Sequence, residues 1–205
     1  MPEQVDQQAD SLLSKIAKVF PETNAYIDLL AIHSPNHGVP IDQTWANIQE
    51  LVNQRKILAM GVSNFNLHHL QCMQSLHLDL PLINQIELNP FFSQKELVEY
   101  CQSHGIIISA YRSANNKATA IDLEMLSNIA AELNLSPMQI INSWKFTKGM
   151  QIVSISKNPI HIEELTKVVQ LETKYMQLLD NLDKGDIGVN DGAKPRIYAA
   201  GSSPD

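Results

Sequence analysis

The sequence is poor in cysteine, in net positive charge and in long apolar runs, and each shortage removes a class of function. Cys72 and Cys101 are the only thiols, and neither belongs to a CxxC pair or another metal-ligand spacing. That argues against a disulfide scaffold or a thiolate metal centre and suits a reducing cytoplasm. Fifteen basic residues against 22 acidic ones leave a formal net charge of -7, which repels nucleic acid and anionic membrane surfaces at long range and favours a small or neutral partner. No apolar stretch approaches the roughly 20 residues that span a bilayer, and the opening MPEQVDQQAD is polar and acidic, so neither a membrane span nor an export signal is expected. Glycine-rich phosphate signatures are missing as well: neither GxGxxG nor GxxxxGK[ST] follows any apolar segment. Their absence weakens both an open dinucleotide-binding sheet and a P-loop enzyme.

What is present is an alternation of apolar strands and amphipathic helices. With 205 residues and 44% hydrophobic content, the chain can bury one substantial core. One domain over residues 1–185 is expected, with 186–205, rich in Gly, Pro, Asp and Ser, as a C-terminal coil. Leu12, Leu13, Ile16, Val19 and Phe20 recur at helical spacing, and YIDLLAIH then reads as a strand. Helices are expected over about 43–54, 67–76, 94–104, 119–133 and 136–149, the last opened by Ser136-Pro137, and a long closing helix over 163–182. Between them ILAMGVSNF, PLINQIEL, IIISAY and QIVSIS read as strands. Strands apolar along most of their length, alternating with helices, imply a parallel sheet in an α/β fold, and a barrel is the better match.

In parallel barrels function gathers at the C-terminal ends of the strands. Those ends carry His33, Ser63 with Asn64, Gln85 with Glu87, and Tyr111. Singly each has a plain reading: a packing histidine, turn residues, a satisfied interior amide, a strand aromatic. Together, a proton donor, amide partners and a flat ring on four strand ends form a seat suited to a nicotinamide. His68, His69 and Cys72 share helical spacing without a fourth ligand, which favours a solvated helix face over a zinc site.

Three motifs carry a resemblance. YIDLLAIHSP, RKILAMGVSNF and NQIELNP are followed in order by ISAY, SPMQIINSW and KNPIHIEEL, and in this the chain resembles the aldo-keto reductase family from about Ser11 to Gly185, with its closest flavour in the bacterial diketogluconate and methylglyoxal reductase branch. The resemblance implies an NADPH-dependent oxidoreductase that reduces small aldehydes or ketones by hydride transfer. It casts His33 as the catalytic group that polarises the carbonyl. Ser63, Asn64 and Gln85 would hold the nicotinamide carboxamide, and Tyr111 would stack on its ring. Ser156, Lys157, His161 and Glu164 would lie along the adenosine end of NADPH; no metal is implied.

The match is partial. In the family the strand ending in the histidine is the fourth of eight, so the resemblance implies an incomplete TIM (β/α) barrel lacking the first three strands, which carry an aspartate, a general-acid tyrosine and a lysine. Without a nearby cation a tyrosine titrates near pH ~10 and transfers protons poorly at neutrality. Reductase activity is therefore expected to be impaired in these residues alone, and the alternative is a non-catalytic relic or an interaction module. Open barrel edges would invite a homodimer or a complementing chain. Ile155 stands where the family's 2'-phosphate lysine lies, Lys157 comes two positions late, His161 replaces an arginine, and YRSAN replaces the loop along the pyrophosphate, so weakened NADPH binding is expected.

Overall fold

In the computed structural model, residues 2–21, 25–35, 40–113 and 118–185 are described. Residues 114–117 of the YRSAN loop and the expected coil at 186–205 fall outside them. The strands hydrogen-bond in chain order within one sheet, and the chain divides into two compact units at Asn84 and Gln85.

The first unit begins with α1 (Pro2–Val19), then β1 (Ile27–Ile32), α2 (Ile41–Asn53), β2 (Ile57–Ser63) and α3 (Leu67–Ser75). β1 and β2 run parallel, with Ile27 beside Ile57, Leu30 beside Met60 and Ile32 beside Val62. A helix must connect strands of this sense, and α2 meets that need by burying Trp45, Ile48 and Leu51 at spacings of three. A fully buried aliphatic such as Leu51 contributes roughly 1.5–3 kcal/mol. The first helix is longer than the apolar spacing from Leu12 suggests, because polar residues before Leu12 continue it; Asp10 is anchored to Lys56 at 2.7 Å. Gly61 is required by close approach: a Cβ there would sit 2.6 Å from Ile83 Cγ2 and 3.2 Å from Leu29 Cδ1.

The second unit continues β3 (Ile83–Glu87) from Gln85 and adds α4 (Lys95–Ser103), β4 (Ile107–Tyr111), α5 (Ala120–Leu133), α6 (Pro137–Thr147), β5 (Gln151–Ile152), α7 (Pro159–Leu165) and α8 (Thr173–Asp180). β4 and β5 are parallel, Ser109 beside Gln151 and Ala110 beside Ile152. Thr119 with Asp122 and Ser136 with Gln139 form reciprocal capping boxes that start α5 and α6. Every residue of α6 from Gln139 to Lys145 is buried. At the end of the unit, Lys184 pairs with Asp122 at 3.0 Å, and the Ser93 hydroxyl donates to the Asp183 carboxylate.

Two expectations are corrected here. The long helix over 163–182 is two helices, α7 and α8, separated by 166–172. Side chains of α6 take over the backbone groups a continuous helix would have used: Ser143 Oγ accepts from Val169 N at 3.0 Å, Thr147 Oγ1 accepts from Leu171 N at 2.9 Å, and Gln139 Nε2 donates to the Lys167 carbonyl at 3.3 Å. The last strand, read over six residues, pairs over two and has exposed positions, as an edge strand does. The opposite edge, β1, also has exposed positions, Leu29 and Ala31 among them.

Candidate functional site

In the first unit the parallel register brings the ends of β1 and β2 side by side. His33 lies just past β1, with its side chain exposed, while Ser63 closes β2, buried. Asn64 follows in the left-handed conformation, at φ 63°, which asparagine tolerates better than most residues. From there its Nδ2 donates to the His33 carbonyl at 2.8 Å and to Ser63 Oγ at 3.2 Å. The structure thus brings His33, Ser63 and Asn64 together.

The turn is held from behind. Asn66 caps α3, accepting from His69 N at 3.0 Å, while its own N–H donates to His69 Nδ1 at 3.1 Å. His69 is therefore not on a solvated face, as its spacing suggested; it is buried, with its ring 5.4 Å from that of Phe65. Burial, with His68 beside it, lowers its pKa to about 4, so the imidazole stays neutral and Nδ1 stays an acceptor. The Phe65 carbonyl accepts from buried Asn84 Nδ2 at 2.8 Å.

In the second unit Gln85 is half-buried within β3, and Tyr111 ends β4, half-buried. Burial, with the Glu87 carboxylate nearby, raises the Tyr111 pKa above its ordinary value. Tyr111 walls a groove of about 400 Å3 together with Arg112, Ser113, Met138, Ser154 and Ile155. Arg112, at φ 54°, directs Nη1 to Glu87 Oε2 at 2.8 Å. Below it, fully buried Lys145 donates from Nζ to Ser113 Oγ at 2.9 Å and to the Ala110 carbonyl at 3.4 Å, and Ser113 Oγ lies 2.7 Å from Asn142 Oδ1. Desolvation lowers the Lys145 pKa to about 8, with Glu87 opposing the shift.

The residues expected at the adenosine end do not form a comparable cluster. Ser156 Oγ accepts from Asn158 N at 3.1 Å in the turn before α7. Lys157 and His161 are exposed and form no ion pair among the described residues, and the Glu164 carbonyl is taken by Gln139 Nε2 at 3.2 Å. Ile155 is 93% exposed. Asn142 and Lys145 were not singled out from sequence, and Arg112 and Ser113 were met only as part of YRSAN. A signal existed: Lys145 lies four residues after buried Ile141, on the face of a helix that should be apolar.

A parallel α/β sheet with polar groups gathered at strand C-termini is the architecture of a barrel-type enzyme or part of one. Residues 3–184 match the model of the Aldo/keto reductase family, and the chain belongs to that family. It is 34% identical over 163 residues to a 9,11-endoperoxide prostaglandin H2 reductase of Trypanosoma cruzi, covering 78% of this chain and 57% of that protein. With a glyoxal reductase of Bacillus subtilis it shares 34% over 168 residues, covering 80% and 60%. The chain therefore spans under two thirds of the length of these curated relatives. Among solved structures, the aldose reductase from Schistosoma japonicum superposes with a TM-score of 0.76 at 27% identity, covering 89% of this chain and 65% of that one. A mutant of Gox0644 in complex with NADPH gives 0.75 at 27%, covering 93% and 70%. The sheet is an α/β sheet of the kind these barrels contain, with β1 and β5 as the ends of its strand order among the described residues.

Proposed function

We propose that the chain carries the nicotinamide-binding part of an NADPH-dependent carbonyl reductase. The observation that carries this reading is the bond from Asn64 Nδ2 to the His33 backbone carbonyl, which ties the ends of β1 and β2 together where the family resemblance assigns Asn64 to a cofactor and His33 to a substrate. The residues fit such a ligand: Tyr111 presents a half-buried ring to a groove of about 400 Å3, a volume suited to part of a dinucleotide. Bound there, a dihydronicotinamide supplies the hydride. This chain's residues bind and orient. Ser63, Asn64 and Gln85 hold the carboxamide, the Tyr111 ring limits which face is presented, and His33 donates a hydrogen bond to the oxygen of a small aldehyde or ketone. Ser156, Lys157, His161 and Glu164 are assigned to the adenosine end, where the exposure of Lys157 and His161 makes for weak contacts.

The aspartate, tyrosine and lysine that complete proton transfer in the family have no counterparts among these residues. Cofactor binding is thus expected without robust turnover unless another polypeptide segment supplies them. A second reading, in which the chain is an interaction module, is favoured by the exposure of Leu29 and Ala31 on edge strand β1. Titration of the purified chain with NADPH, followed by tryptophan quenching alongside size-exclusion chromatography, separates the two. Saturation at micromolar cofactor supports the first; a compact species that binds nothing up to millimolar supports the second.

A further inference from the structure

In the second unit β4 ends at Tyr111, and the two residues after it leave the ladder. Side chains hold them instead. Asn89 Nδ2 donates to the Arg112 carbonyl at 3.3 Å, and the Ser113 hydroxyl is gripped from α6, accepting from Lys145 Nζ at 2.9 Å and donating to Asn142 Oδ1 at 2.7 Å. Lys145 Nζ also donates to the Ala110 carbonyl at 3.4 Å, so one ammonium bonds on either side of Tyr111 and Arg112. Between those two bonds Arg112 stands at φ 54°. A residue with a side chain keeps to that region where its surroundings over-determine it, and the bonds from Lys145, Asn142 and Asn89 supply the restraint.

Packing alone does not call for a cation here. Lys145 is fully buried on α6 beside apolar Ile140, Ile141 and Trp144; its hydrogen bonds go to a hydroxyl and a carbonyl, and Glu87 acts on it without bonding to it among the described residues. An apolar side chain of like size is the more stable choice at such a position. Tyr111, by contrast, depends on where the loop goes, because its half-buried ring shares the wall of the groove with Arg112 and Ser113. We infer that Lys145 is a positioning residue: by holding Ser113 and the Ala110 carbonyl it keeps Arg112 left-handed and sets the Tyr111 ring in the groove wall, where it stacks on the nicotinamide. The inference rests on the dinucleotide reading above, in which Tyr111 limits the face presented, and adds the residue that fixes Tyr111. It also separates two properties that a structural residue joins: removing the ammonium raises stability and lowers affinity.

The test is a double-mutant cycle on the full chain: NADPH titration, read by the dihydronicotinamide fluorescence, of wild type, K145M, Y111L and the double variant, with urea denaturation of each. Y111L keeps apolar bulk in the groove wall without the flat ring. K145M is expected to raise the urea midpoint and to weaken NADPH about fivefold or more, and in the Y111L background the same substitution changes affinity by about twofold at most, because the ring through which Lys145 acts is gone. S113A removes the same hold from the loop's side, shows the same dependence on Tyr111, and decides the matter if K145M fails to fold. Equal weakening by K145M in both backgrounds assigns the ammonium another route to the ligand, and a fall in stability alongside the weakening makes Lys145 an ordinary structural residue; either overturns the inference. So does NADPH binding that K145M and S113A both leave unchanged, with the dinucleotide reading intact. No binding by the folded wild-type chain up to millimolar NADPH overturns that reading and the inference together.

Discussion

Asn64 and Arg112 occupy the same position in their respective turns: each follows the last residue of a parallel strand, and each is left-handed, at φ 63° and 54°. Asparagine takes that conformation readily and turns its amide to the His33 carbonyl, 2.8 Å away. Arginine takes it against a cost of about 1–2 kcal/mol and carries its charge to Glu87 and the groove. Strain of this kind clusters where function constrains the backbone. By resemblance, the first turn matches the family's Ser-Asn pair, and the second places a cationic residue, backed by buried Lys145, where the family has a neutral loop. We read the first turn as part of the seat for the reacting ring.

The largest effect that would sharpen this comparison is Lys145→Met. The ammonium's pKa is lowered from 10.5 to about 8 by burial, so over that interval the unfolded chain holds more protons and stability rises with pH. At pH 7 the variant is expected to be more stable by about 2 kcal/mol, the desolvation penalty less the lost hydrogen bonds. That advantage shrinks between pH 8 and 9.5, as urea denaturation at a series of pH values would show. A constant difference would place the lysine's cost elsewhere. Exchanging the two turn residues comes next. Asn64→Arg should destabilise by about 2 kcal/mol, through left-handed strain and the lost bond to His33, and should abolish NADPH quenching.

The first turn also has its own proton limb. His69 is held neutral with its pKa lowered to about 4 from 6.5, so the unfolded state binds more protons across that window and stability falls as pH drops through it. A Tm lower by a few degrees at pH 5 than at pH 7, abolished in His69→Gln, is the expected result; an equal fall in the variant would assign the acid limb to other groups. The smallest effect belongs to Arg112→Asn. Relief of strain offsets part of the loss of an ion pair exposed on its arginine side and buried on its carboxylate side, leaving a net loss of about 1 kcal/mol, as urea denaturation would show. A large loss of stability would make Arg112 a structural residue.

Helix positions were legible from apolar spacing, as at Trp45, Ile48 and Leu51 of α2, and from a capping residue, as at Ser136 before Pro137 opens α6. The break between α7 and α8 was not, because Ser143 and Thr147, whose hydroxyls replace intrahelical bonds, act from a separate helix. His33, Ser63 and Asn64 were visible as strand-end residues, and the parallel register joins them. Lys145 escaped notice because a lysine in a helix is ordinarily read as solvent-facing; only its place behind Ile141, and a serine 32 residues earlier in the chain, reveal it as buried. His69 escaped for a related reason, since capping by a histidine requires the turn geometry that only Asn66 in place can provide.

The central claim is that the turn after β2 meets a dinucleotide. A 15N-edited NMR titration of the full chain with NADPH would follow the backbone amides of Ser63 and Asn64. Saturable shifts of both at micromolar cofactor are predicted. No shift of either from a folded chain up to millimolar cofactor would contradict it.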